Sequence, residues 1–279
     1  MKVAVLGPGG VGGFVSAALW RAGCETVVVA RQALDGISID SVRLGRFVAH
    51  PRVVTELDEP VDVLIVATKA TTLDAALARV QGEVRAVLPL LNGLDHLAVL
   101  RKRFGDRVIP AAIRIESERV APGRIVQSSP FLVVEMTREH PVAGALERAG
   151  IPTAVEPDAM WRKLVRLNAL ALTTSAFAAP IGDIRTDERG TLERCVREGA
   201  AVAAAEGATV SADDVIAELD AAHATLSSSM ARDIEAGAEP ELDAIAGGVL
   251  RAGRRHGVEC PTVAALAARV AERAGVPAP

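Results

Sequence analysis

The segment KVAVLGPGGVGGFVSAALWRAG, residues 2–23, constrains this chain more than any other. Its first six residues form a short apolar, β-branched run closed by glycine, and FVSAALWRAG then carries helical spacing until Gly23 stops it. This predicts strand, turn and helix in immediate succession. Between strand and helix, Gly7, Gly9 and Gly12 match the G-x-G-x-x-G pattern in the context the pattern requires. The first glycine permits a tight turn, the second lets backbone approach a pyrophosphate, and the third lets helix and strand pack closely. The stretch Gly7, Gly9, Gly10, Val11 and Gly12 is therefore a candidate dinucleotide cradle. The plainer alternative is a tight strand-to-helix turn that holds nothing.

Further buried runs follow: ETVVVAR, VDVLIVATK and VRAVLPLLNG, each separated from the next by polar or helical segments. Continuous apolar strands alternating with helices predict a parallel sheet covered on both faces. RVIPAAIRI, RIVQSS and FLVVEM extend the β character to about residue 136, and PVAGALERAG reads as a short helix. From about Pro157 the pattern becomes helical. The candidates are DAMWRKLVRLNALALTTSAFAA, ERGTLERCVREGAAVAAAEGA, SADDVIAELDAAHATLSSSMARDIEAG, ELDAIAGGVLRAGRRHG and PTVAALAARVAERAG, punctuated by Pro and Gly. In the third, Ser211 precedes Asp214 by the spacing of a helix cap. The expected class is α/β: a Rossmann-type doubly wound parallel sheet over residues 1–155, followed by an all-α C-terminal domain over 156–279.

At 279 residues two domains are the natural expectation. A net charge of −4 with interspersed signs gives no general reason to bind nucleic acid or an anionic membrane. The longest weakly polar stretch, LNALALTTSAFAAPIG, falls short of the roughly 20 apolar residues of a membrane span. Cys24, Cys195 and Cys260 are far apart and odd in number, which suggests buried thiols in a reducing compartment, a cytoplasmic one. His50, His96, His140, His223 and His256 lack ligand spacing, so no metal is assigned. The helical half is compatible with a homodimer face.

The residue after the second strand bears on cofactor choice. A carboxylate there would bond a ribose 2′-hydroxyl, but this chain has Arg31, which suits a 2′-phosphate and so NADP(H). Lys69, closing LIVATK, and Asn92, closing LLNG, are expected along the same carboxyl edge, where ligands of open α/β sheets bind: Lys69 either pairs with a cofactor phosphate or caps the strand in water, and Asn92 either bonds a nicotinamide ribose or substrate or belongs to a plain Asn-Gly turn. Lys163 in MWRKL opens the helical half. A partly desolvated lysine there could serve as a general acid.

Taken together, GPGGVGG, Arg31, ATKA with Lys69, NGL with Asn92, WRKL with Lys163, SSM with Ser229, and EPELDAIAGGVLRAGRRHGVECPT with Glu241 resemble the ketopantoate reductase family. The resemblance covers both halves of the chain. It implies NADPH-dependent reduction of a 2-oxo acid, with Lys163 giving the proton and Glu241 holding that lysine and the substrate hydroxyls. It also implies substrate contacts from Ser229 and Asn92, in a cleft between the halves. One departure stands out: where family members carry asparagines four and eight residues after the lysine, this chain has Leu167 and Ala171. Asn168 lies about 100° further round a regular helix. An NADP-dependent dehydrogenase of the same architecture acting on another oxo or hydroxy acid and a non-catalytic NADP-binding sensor are the competing readings.

Overall fold

The computed structural model describes residues 1–279 and contains two compact units. The first comprises residues 1–91 and 96–159, the second residues 92–95 and 160–279.

In the first unit, β1 (Lys2–Leu6), α1 (Gly10–Arg21) and β2 (Glu25–Val29) follow in the order the sequence predicts. The chain continues through β3 (Ile37–Ser41), β4 (Gly45–Ala49), β5 (Arg52–Val54) and β6 (Val61–Val66). A 3-10 turn and α2 (Leu73–Leu77) lead to β7 (Val84–Pro89) and α3 (His96–Phe104). Five strands form a fully parallel sheet in the order β5-β2-β1-β6-β7. Successive residues of β1 alternate between its faces. Val3 and Val5 share one core with Phe14 and Val15 of α1, while Ala4 and Leu6 share another with Leu73, Leu77, Leu100 and Phe104 of α2 and α3. Both faces are thus covered, which is why these strands are apolar throughout rather than alternating.

The later β character does not extend this sheet. β8 (Ala111–Arg114), β9 (Ser117–Ala121), β10 (Arg124–Gln127), β11 (Val133–Met136) and β12 (Thr153–Val155) contribute to two smaller mixed sheets, ordered β4-β3-β10-β9 and β12-β11-β8. Their buried residues Ile37, Ile39, Ile125 and Val134 join α1 and α4 (Val142–Arg148) on one face of the parallel sheet. A helical layer is therefore partly replaced by strands on that side.

The second unit contains α5 (Ala159–Phe177), α6 (Ile181–Asp187), α7 (Arg189–Ala205), α8 (Ala212–Ala221), α9 (Ser229–Glu235), α10 (Gly248–His256) and α11 (Pro261–Ala274). The predicted third helix is in fact two, α8 and α9. Ser228 breaks it: this buried side chain accepts from the Ala231 amide at 3.0 Å and shares a 2.9 Å hydrogen bond with Thr174 on α5. Ser211 caps α8 as expected, accepting from the Asp214 amide at 3.1 Å. The fourth predicted helix begins with a π-helical turn, Asp243–Gly247, before α10. No single helix is long and apolar enough to cross a membrane. The apolar residues of α5, among them Leu164, Val165, Leu170 and Leu172, lie in the helical core. Cys195 and Cys260 are buried as expected, but Cys24 is only half-buried, because it follows the turn that ends α1.

Candidate functional site

The glycine turn lies at the carboxyl edge of the parallel sheet. There the ladder continues past the strands: the Gly7 amide donates to Val29 O at 3.1 Å, Ala67 to Leu6 O at 2.9 Å, and Leu90 to Val66 O at 2.8 Å. Gly7 has φ +91°, a conformation that disfavours any side chain. A Cβ at Gly12 would fall 2.1 Å from Gly7 O, so the third glycine is required by the contact between helix and turn. Gly9 is different, because a Cβ there would meet nothing within 4 Å. Open space at the second glycine, beside the start of an α1 whose first turn carries no acid, suits close approach by an anion. Gly10 has another cause: a Cβ there would lie 2.2 Å from Ser117 O, and the Ser117 hydroxyl donates to Gly10 O at 2.8 Å. Val11 packs on the core beneath the helix.

Arg31 is exposed two residues beyond β2. No motif or periodicity points to a second cation nearby. Arg79 reaches from the turn after α2 and donates to the carbonyl of Ala30, the residue before Arg31, and to Thr55 O, each at 3.4 Å. Lys69 does not close β6, contrary to the expectation from the sequence: that strand ends at Val66, and Lys69 precedes the 3-10 turn Ala70–Thr72. Two residues, Ala67, whose amide donates to Leu6 O, and Thr68, separate the strand from the lysine.

Asn92 was expected on the sheet edge, yet it packs within the helical unit. Its side-chain amide donates to Glu241 Oε2 at 3.0 Å, joining two candidates 149 residues apart. Lys163 sits half-buried in the first turns of α5. Its neighbours Arg162 and Arg166 are drawn to Glu218, at 2.7 Å and 3.6 Å, which fixes the rotation of this end of the helix. Leu167, one turn further, is half-buried and Ala171 fully buried. Asn168 points elsewhere: it is buried, with Nδ2 3.6 Å from Cys195 Sγ. It does not replace an asparagine at 167 or 171. Ser229 is exposed at the first position of α9, next to the buried cap Ser228.

A parallel sheet with a glycine turn at its carboxyl edge, followed by a helical unit bearing a lysine and a carboxylate, defines the class of two-part dinucleotide-dependent oxidoreductases. Residues 3–134 match the family described as "Ketopantoate reductase PanE/ApbA", and residues 157–277 match its C-terminal counterpart. The chain is 34% identical to a 2-dehydropantoate 2-reductase of Caulobacter vibrioides, over 96% of this chain and 97% of that one. A 2-dehydropantoate 2-reductase of Mycobacterium tuberculosis is 32% identical, with 93% of each chain covered. The crystal structure of a PanE/ApbA family ketopantoate reductase from Ralstonia eutropha superposes with a TM-score of 0.88 at 25% identity, covering 99% of each chain. This chain belongs to the ketopantoate reductase family.

Proposed function

We propose that the protein reduces a 2-oxo acid with NADPH, 2-dehydropantoate being the first substrate to test. The observation that carries the reading is the Asn92–Glu241 hydrogen bond, which unites two of the predicted polar groups in the helical unit. Relatives that are 34% and 32% identical and bear the name 2-dehydropantoate 2-reductase support it.

The turn Gly7–Gly12 would hold the pyrophosphate, with the open side of Gly9 and the α1 amides facing it. Arg31 would pair with a 2′-phosphate, assisted by Arg79, and Lys69 would add a cation on the same edge. When bound, the nicotinamide supplies the hydride. The residues of this chain have other tasks. Lys163 as an ammonium donates the proton that the developing alkoxide needs, and a carboxylate at Glu241 favours the charged lysine and accepts from substrate hydroxyls. Asn92 and Ser229 offer directional hydrogen bonds to a small polar acid. Leu167 and Ala171 present no polar group where the family resemblance implies amides, which shifts preference toward an oxo acid with fewer hydroxyls.

The test is NADPH consumption across a panel of 2-oxo acids, with Lys163→Ala alongside wild type. Lys163→Ala is expected to lower kcat by orders of magnitude at nearly unchanged cofactor affinity; a drop below tenfold removes Lys163 from proton transfer. NADPH binding without turnover of any oxo acid would favour a sensor.

A further inference from the structure

The segment Asn92–Asp95 is covalently framed by β7 and α3 of the first unit yet packs in the second. It runs along the stretch that begins at Glu241 and passes through the π-helical turn into α10. Three contacts occur in order. Asn92 bonds Glu241 at 3.0 Å. Gly93, at φ +77°, lies so close that a Cβ would be 2.2 Å from Ala244 O. Asp95 then receives the Arg251 guanidinium at 2.5 Å.

Arg251 also binds Asp243, Nη1 to Oδ1 at 2.6 Å and Nη2 to Oδ2 at 3.2 Å. One guanidinium thereby spans the loop carrying Asn92 and the turn that follows Glu241. Asp243 reaches it by lying across Gly247, where a Cβ would come 2.3 Å from Asp243 Oδ1. Arg251 and Asp95 are partly exposed, with side-chain exposures of 36% and 54%, so neither is needed to fill the core. A pair of this exposure adds little to global stability. Its geometric effect is larger, because it fixes the far end of a four-residue loop whose near end carries Asn92. The π-helical turn between Glu241 and Arg251 adds to the case, since such turns occur frequently at functional sites.

We infer that Asp95 and Arg251 form a positioning clamp that keeps Asn92 against Glu241. Both act through other groups and are positioning residues for the reaction proposed above, on which the kinetic half of the inference rests.

The experiment is a double-mutant cycle of Asp95→Ala and Arg251→Ala in the full-length protein, with two readouts. In amide hydrogen exchange by mass spectrometry, each single variant should accelerate exchange in peptides covering residues 91–96, and the double variant should add little to either. Peptides from α7 and α11 should remain at wild-type rates. In kinetics with the best oxo acid, each variant should raise its KM by roughly threefold to tenfold while the Kd for NADPH stays within twofold. Arg251→Lys should restore part of the KM. Additive exchange effects, or exchange in residues 91–96 unchanged by either substitution, would overturn the clamp whether or not any oxo acid is turned over. Localised, non-additive exchange in a protein inactive toward every oxo acid would uphold the clamp and sink the proposed reaction.

Discussion

Two glycines of one turn, Gly9 and Gly12, should fail for opposite reasons when changed to alanine. At Gly12 the new Cβ would stand 2.1 Å from Gly7 O and 3.0 Å from Ala67 Cβ, where ordinary contact begins near 3.4 Å. Backbone must move, because neither obstacle is the end of a flexible side chain. Overpacking of this kind costs about 1–3 kcal/mol or more, and the gain of roughly 1 kcal/mol from alanine in a helix offsets only part of it. Gly12→Ala should therefore lower the thermal midpoint by several degrees, at about 2–4 °C per kcal/mol. Gly9 has φ −76° and ψ −161°, which alanine adopts freely, and space for its methyl. Gly9→Ala should keep the stability of the cofactor-free protein within about 0.5 kcal/mol, because lost chain entropy in the unfolded state balances a poorer helix cap. It should weaken NADPH binding by roughly 10- to 100-fold, the equivalent of losing one charge-assisted hydrogen bond. Thermal melts and fluorescence titration with NADPH measure the two quantities. Wild-type affinity in Gly9→Ala, or wild-type stability in Gly12→Ala, would refute the division of labour in this turn.

Arg31→Ala should weaken NADPH while leaving NADH almost untouched; titrations showing equal loss for both would remove the 2′-phosphate assignment. Leu167→Asn should raise kcat/KM for a hydroxylated oxo acid relative to its unhydroxylated analogue, whereas Ala171→Asn should chiefly lower the melting temperature, since position 171 is fully buried. An iodoacetamide time course at pH 8 should label Cys24 first: burial raises the Cys195 thiol far above its ordinary value and pushes Cys260 up to about 11, so both stay protonated. Because the folded state holds these thiols protonated, their contribution to stability persists below the unfolded pKa near 8.5 and fades as pH rises beyond it. Urea midpoints measured from pH 8 to 10 should fall, and less steeply in Cys195→Ala.

The parts of the fold that were legible in the sequence are those whose environment is uniform. β1, β2, β6 and β7 are buried on both faces, so their apolar runs announce them. β4 and β9 were not, since GRFVA and SERVA are largely exposed and carry charges in mid-strand. The break between α8 and α9 was hidden because SSSM continues a helical composition; only the hydrogen bond from Ser228 to Thr174, 54 residues away, shows why the helix must restart. The candidate site divides in the same way. Local turn chemistry fixes Gly7, Gly9 and Gly12, but the partnership of Asn92 with Glu241 depends on tertiary packing across 149 residues, beyond the reach of any periodicity. Arg79 beside Ala30 was invisible for the same reason.

The Ser117 carbonyl over Gly10 has a consequence for transplanting this turn. In a recipient α/β scaffold without a strand like β9, alanine at the Gly10 position would meet no carbonyl and would gain roughly 1 kcal/mol of helix propensity. A graft should accordingly keep glycine at positions 7, 9 and 12 and spend its freedom at 10, while a graft that copies all the glycines inherits a weakness whose only cause was left behind in the donor.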